Sequence, residues 1–299
     1  MVAKTLSSSK TSQQGEVRIA VPASQYDFER LAGVYNQARV DYIVPMPMNA
    51  KRMAEYIHNY DIDLDASVIS INQAGEETGV GMLGLRDDGT QRRAWITRLG
   101  VLPERRGTKV GQFLMELLLE HANVRRSHLI QLEVIFGNAP AYQLFQKLGF
   151  VDTRELLIIR RPPSATEPQA SFDAARVTQI SDDEIPFYLK LRAPGASWLE
   201  ETPSLLNAGS MRGLRIETPD SQRGWILFQR TPFQLTHFVI SPDISPEMAE
   251  ALIYHVHKEY PMQDTKIENL PIDSVNWPAF QKMGYMEVFR RVEMLLTLA

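Results

Sequence analysis

The sequence predicts an α/β (α+β) protein of two tandem domains. Three observations carry this reading: 299 residues exceed one ordinary domain, strand-like and helix-like periodicities alternate along the chain, and a short segment recurs in the second half. Hydrophobic residues at 44% and charged residues at 23% are globular values and exclude a disordered or rod-like chain. The formal charge of −4 is a poor match for a general nucleic-acid binder, which needs a basic surface. With no cysteine, disulfides, thiol nucleophiles and Cys-ligated metals are excluded. No window offers the roughly 20 apolar residues of a membrane span. The start, Met1 to Lys10, has no apolar core of the signal-peptide kind. A cytoplasmic protein with a polar tail over 1–15 is expected, with neither nucleic-acid nor membrane partners.

The elements follow in order. Val17-Arg18-Ile19-Ala20-Val21 alternates like a strand. Ser24 reads as the N-cap of a helix whose buried stripe is Phe28, Leu31, Val34 and Tyr35. Tyr42 to Met53 reads as a loop with Pro45 and Pro47, then a short helix. Runs at 66–72 and 79–85 flank the turn-rich Gln73 to Glu77 and form a hairpin. After the turn Asp87-Asp88-Gly89, Ala94 to Val101 is a further strand. Val110, Phe113, Leu114, Leu117 and Leu118 fit the template of an amphipathic helix. Leu129 to Phe136 is too continuously apolar for a half-exposed strand and belongs inside a sheet. A helix over 139–148 ends at Gly149, and Leu156 to Ile159 closes the first half.

Arg161 to Pro168 reads as a linker. The expected domains are therefore 16–161 and 172–299, joined by 162–171. Across that linker Phe145-Gln146-Lys147-Leu148-Gly149-Phe150 returns as Phe280-Gln281-Lys282-Met283-Gly284-Tyr285, each copy between a helix and a strand. This order favours an internal duplication.

The chemistry concentrates between Leu99 and Gly111. A strand ends, Arg105, Arg106 and Lys109 crowd together, and a helix opens. A helix N-terminus presents unpaired N–H groups and the positive end of the helix dipole, so it suits an anion such as a diphosphate. Gly107 and Gly111 permit close backbone approach. Read alone, the same loop is equally a basic solvated turn.

Arg106-Gly107-Thr108-Lys109-Val110-Gly111 resembles the acetyl-CoA pyrophosphate loop, Gln/Arg-x-x-Gly-x-Gly/Ala, of the GNAT superfamily of N-acetyltransferases. Asn138 to Phe150 is similar to that family's later Asn-x-x-Ala-x-x-Leu-Tyr-x-x-x-Gly-Phe pattern. The likeness spans roughly Val17 to Arg160. It implies a mixed, splayed sheet flanked by helices, with acetyl-CoA between two parting strands. On this mapping Leu99, Gly100 and Val101 offer backbone groups to the pantetheine arm. Arg106, Gly107, Thr108, Lys109, Val110, Gly111 and Gln112 hold the pyrophosphate, and Asn138 lines the arm.

Two positions depart from the pattern. Lys109 replaces a glycine: lysine can adopt helical angles and its ammonium can assist a diphosphate, but it makes close backbone approach harder, so weaker cofactor binding is expected. Phe145 stands, on the cofactor side, where many relatives carry the tyrosine that protonates the leaving thiolate. Tyr142, about 60° around the helix, is not a simple substitute. An amine near pKa 10.4 must lose a proton before it attacks. Glu133 is the candidate base, with an ordinary charge pair as its competing role. His121 and His128 read as capping or solvated residues, and no metal-ligand spacing is present. Tyr42 to Met48 either walls the acceptor pocket or packs the first helices.

The second half resembles the same fold but reads Ser241-Pro242-Asp243-Ile244-Ser245-Pro246-Glu247 in place of the basic loop. Two prolines remove donors and two acids add negative charge, so no CoA is expected there. Trp198, Trp225 and Trp277 are expected in its core rather than on an acceptor pocket. The expected function is acetyl-CoA-dependent N-acetylation of a small-molecule or protein amine, in a tandem arrangement with a degenerate second copy. The alternative is a non-catalytic acyl-CoA-binding or sensor protein.

Overall fold

The computed structural model describes residues 17–42, 44–164, 176–218 and 221–298. The polar tail 1–15, Ile43 of the proline-rich stretch, the 165–171 part of the linker and the start of the second domain at Phe172 lie outside them. By its contacts the chain divides into two compact units. Unit 1 comprises 1–133, 140–151 and 294–299; unit 2 comprises 134–139 and 152–293. This partition differs from a cut at the linker. The strand at 151–161, expected to close the first half, lies almost wholly in unit 2, and the last residues of the chain lie in unit 1.

Unit 1 opens with β1 (Ile19–Pro22), α1 (Phe28–Ala38) and α2 (Ala50–Asn59). β2 (Val68–Ile71), β3 (Glu77–Asp87) and β4 (Arg92–Val101) follow, joined to β1 as an antiparallel run. α3 (Val110–Val124) then crosses over to β5 (Leu129–Ile135), which lies parallel to β4. α4 (Ala139–Lys147) follows. The expected N-cap at Ser24 is displaced. Ala23–Gln25 is a 3-10 turn, and Asp27 caps α1 by accepting from the Arg30 N–H at 2.7 Å. Starting one turn later puts Phe28 in the first helical position, where it is 41% exposed, while Leu31, Val34 and Tyr35 stay buried. α3 buries Val110, Leu114, Leu117 and Leu118 as its periodicity requires. The final residues of the chain return to this unit, where the Leu298 N–H donates to the His128 carbonyl at 2.9 Å.

Unit 2 is a mostly antiparallel sheet of β6 (Val151–Arg161), β7 (Arg176–Ile180), β8 (Met211–Glu217), β9 (Arg223–Arg230), β10 (Gln234–Ile240), β11 (Asp264–Pro271) and the first part of β12 (Met286–Thr297). The spatial order is β12-β6-β11-β10-β9-β8-β7, and only β10 and β11 pair in parallel among the registers described. Its helices are α5 (Ile185–Lys190), α6 (Thr202–Ala208), α7 (Pro246–Glu259) and α8 (Trp277–Lys282). α7 is buried along most of its length against Leu157, Ile226, Phe228 and Phe280. Trp198 is fully buried; Trp225 and Trp277 pack partly buried against the unit's core clusters.

The recurrent segment has one local geometry in both places. Gly149 and Gly284 take φ +93° and +86° at the ends of α4 and α8. In each, the residue after glycine donates to the carbonyl of the phenylalanine five back: Phe150 to Phe145 and Tyr285 to Phe280, both at 3.1 Å. Both phenylalanines are buried.

Candidate active site

β4 and β5 pair only through Arg93–Ile96 and Leu129–Leu132. Beyond them β4 continues to Val101 alongside β3 alone. The β3–β4 register slips between Val80 and Met82, and Arg98 absorbs the extra residue at φ +51°. A bulge of this kind bends the strand and re-aims its side chains. The outer half of β4 therefore leaves β5 where the expected site residues Leu99, Gly100 and Val101 stand. A Cβ on Gly100 would come within 2.9 Å of the Ala38 Cβ. Close packing of α1 thus requires that glycine.

The basic loop runs from Leu102 to Lys109. Gly107 turns it at φ +75° with nothing within 4 Å of an added Cβ, so conformation rather than crowding calls for glycine there. Thr108 Oγ1 donates to the Arg105 carbonyl at 2.6 Å, and the Thr108 carbonyl accepts from the Arg18 guanidinium. Lys109 is the N-cap of α3 with φ +66° and ψ +13°, and no side chain caps the helix. The turn places Lys109 in the left-handed helical region, which costs a non-glycine residue about 1–2 kcal/mol. The lysine side chain is exposed. The first N–H groups of α3, from Val110, Gly111 and Gln112, consequently face the loop without a side-chain acceptor. A Cβ added at Gly111 would meet Val101 and Leu144 only at ordinary contact distance, and Gln112 donates to Glu116.

Arg106 is tied into the fold. Its guanidinium forms a two-pronged pair with Asp41, both N···O distances 2.7 Å, and reaches the Val101 and Ala38 carbonyls at 3.3 Å. The pair raises the arginine pKa and holds the Asp41 carboxyl below its ordinary value. Arg106 thus ties the loop to the end of α1. Both partners stay about half exposed.

Glu133 lies where β5 leaves β4. Its Oε2 accepts from the Trp95 indole Nε1 at 2.7 Å, a cross-strand hydrogen bond from a neutral donor. Around them, the Tyr56 hydroxyl meets Thr97 Oγ1 at 2.6 Å, the Arg98 guanidinium sits 4.0 Å from the Tyr56 ring centre, and Arg98 donates to the Tyr35 hydroxyl at 3.0 Å. Burial pushes the Tyr56 phenol up to about 12. Sequence reading missed Trp95, Thr97, Arg98, Tyr35 and Tyr56. The alternation of Trp95 and Thr97 on one strand face was the available signal.

Phe145 is 5% exposed and packs against Phe150, so its ring is part of the core. The Tyr142 hydroxyl accepts from Gln146 Nε2 at 3.0 Å. Asn138 is grouped with unit 2, where its N–H donates to the Ile135 carbonyl. His121 meets the Ala66 carbonyl through Nδ1, and His128 is exposed. Asn36 bonds both the N–H and the carbonyl of Met48, which fastens the proline-rich stretch to α1. Among the described residues no helix is long and apolar enough to cross a membrane, and no group of three His, Cys, Asp or Glu could hold a metal.

Residues 34–150 match the acetyltransferase (GNAT) family model. The fold agrees with solved members of that group. A GCN5-related N-acetyltransferase from Sphaerobacter thermophilus superposes with TM-score 0.64 at 18% identity, over 94% of this chain and 95% of that one. A tandem GNAT protein from the clavulanic acid biosynthesis pathway gives 0.63 at 12% identity, over 94% and 98%. A GCN5-related N-acetyltransferase from Anabaena variabilis gives 0.56 at 14% identity, over 93% and 72%. No curated protein sequence matches the chain.

Proposed function

We propose that unit 1 is an acetyl-CoA-dependent N-acetyltransferase that acylates a primary amine by direct attack on the thioester. The observation that carries this is the α3 N-terminus, uncapped behind a left-handed Lys109, beside a strand that has parted from its neighbour. The residues fit the cosubstrate. Gly107 leaves open space at the loop, the N–H groups of 110–112 supply donors, and Arg106 and Lys109 supply exposed positive charge. Leu99 and Val101 would offer backbone groups to the pantetheine arm. Bound acetyl-CoA supplies an activated acyl carbonyl.

The chain's residues then handle one proton. The attacking amine must be neutral, and Glu133, fixed by the Trp95 indole, accepts the proton that the amine gives up on becoming an amide. No phenol stands at 145, so the thiol, near pKa 8.5, leaves with solvent or Tyr142 as proton source. Buried Phe145 also supports a second reading, an acyl-CoA-binding protein without catalysis. Single-turnover release of CoA thiol over a panel of amines separates them. Amine-dependent release that falls at least tenfold in Glu133→Gln is the expected result; saturable CoA binding without release leaves the binder. Unit 2, whose equivalent loop is self-capped, is proposed not to bind CoA.

A further inference from the structure

Unit 2 repeats the strand irregularity of unit 1 with different side chains. β10 slips its register on β9 between Thr236 and Val239, with His237 at φ +54°. β10 pairs with β11 only through Gln234–Asp264 and Leu235–Thr265. β11 has its own slip against β6 between Ile267 and Leu270, with Asn269 at φ +60°. Two strained non-glycine residues thus stand on facing strands where the strands part. Strain of this kind persists where surrounding contacts enforce it, and it collects at ligand-holding sites.

Their side chains enter one polar cluster. His237 Nδ1 meets Glu200 Oε1 at 3.0 Å. Glu268 takes Lys266 at 2.6 Å and Arg291 at 2.8 Å. Asn269 accepts from Arg291 and donates to Ser197. Arg192 donates to the Glu200 backbone carbonyl, but no carboxylate among the described residues forms an ion pair with it, and its buried Nε has no hydrogen-bond partner. The Glu200 and Glu268 carboxylates are engaged by His237, Lys266 and Arg291, and Glu200 and Glu201 act on Arg192 electrostatically without an ion pair to it. Three permanent cations, Arg192, Lys266 and Arg291, face three carboxylates, Glu200, Glu201 and Glu268, before His237 is counted. The side chains of His237, Glu200, Glu268, Lys266 and Arg291 keep between 11% and 23% of their surface exposed, so solvent reaches the cluster. A buried guanidinium with an unmet donor is costly, and a planar two-oxygen anion is its natural complement.

We propose that unit 2 holds a binding site for a small carboxylate, received by Arg192 with His237 beside it. The site is independent of the CoA loop and of the transferase reading. The test follows the His237 ring resonances of the full-length protein by NMR while acetate or succinate is titrated in. Saturable shifts are expected, with affinity weakened at least tenfold in Arg192→Met and by less in Arg192→Lys, which keeps the charge but loses the fork. Near-UV circular dichroism establishes that each variant is folded. If Arg192→Met fails to fold, Arg192→Lys decides. Unsaturable response in the wild type, unchanged affinity in the folded variants, or tighter binding of inorganic phosphate than of either carboxylate would overturn the proposal.

Discussion

The loops that enter α3 and α7 follow equivalent bulged strands, with Arg98 and His237 at φ +51° and +54°, yet they end in opposite ways. Before α3 the chain makes a long basic loop through Gly107 to a left-handed Lys109, and no side chain caps the helix. Before α7 it makes a short turn, and Ser245 caps the helix by accepting from the Met248 N–H at 3.2 Å, with Pro246 and Glu247 in the first turn. The strand leading in is conserved as geometry in both units, while the anion-receiving end exists in one. A shared fold supplies the scaffold, and the few residues at a helix start decide whether it receives a phosphate.

The two helices also differ at matched histidines, which provides the largest effect. His121 on α3 is half-buried, whereas His257 on α7 is fully buried against the Tyr285 hydroxyl at 2.9 Å. Burial, reinforced by nearby Arg161, pushes the His257 imidazole down to about 3. The unfolded chain, titrating near 6.5, then binds the proton that the native state refuses. The stability of unit 2 is complete above pH 6.5 and falls by about 1.4 kcal/mol per pH unit toward pH 3. His237 carries the opposite sign: burial lowers its pKa, but Glu200 and Glu268 raise it overall. Its contribution is complete below pH 6.5 and is lost as pH rises through its native value. Urea unfolding in a Trp95→Phe background, where the remaining tryptophans lie in unit 2, should show a much flatter acid slope for His257→Phe. Equal slopes would break the comparison.

Next in size is the loop itself. Arg106→Glu should weaken CoA binding by more than about tenfold, since it sets a carboxylate beside Asp41 and beside the phosphate. Asp41→Asn sharpens the point: it should weaken binding by less, through loss of the brace alone. Calorimetric titration measures both. Ser245→Ala should destabilise unit 2 by about 1 kcal/mol and leave CoA affinity unchanged. Smallest is Lys109→Gly, which relieves the left-handed strain and should stabilise unit 1 by about 0.5 kcal/mol, read from denaturant midpoints.

Much of this was legible locally. The amphipathic stripe of α3, the turn at Gly149 and its copy at Gly284, and the contrast between the two helix-entry loops all depend on neighbours in sequence. What was hidden depends on distant pairing. Arg106 meets Asp41, and Glu133 meets Trp95, only after α1 and β5 are in place. The left-handed angles at Lys109 are imposed by the turn and leave no mark in the residue type. β6 and the end of β12 are both apolar strands after a glycine, so nothing in their composition says which unit each joins. Ser24 and Asp27 are both good caps by residue type, and the structure uses the later one.

The most direct measurement is an amide-resolved NMR titration of the full-length protein with CoA. Saturable shifts should appear at the N–H groups of Gly107 to Gln112 and be absent at Glu247 to Ala249. Shifts at the α7 amides, or none at the α3 amides under saturating CoA, would contradict the account.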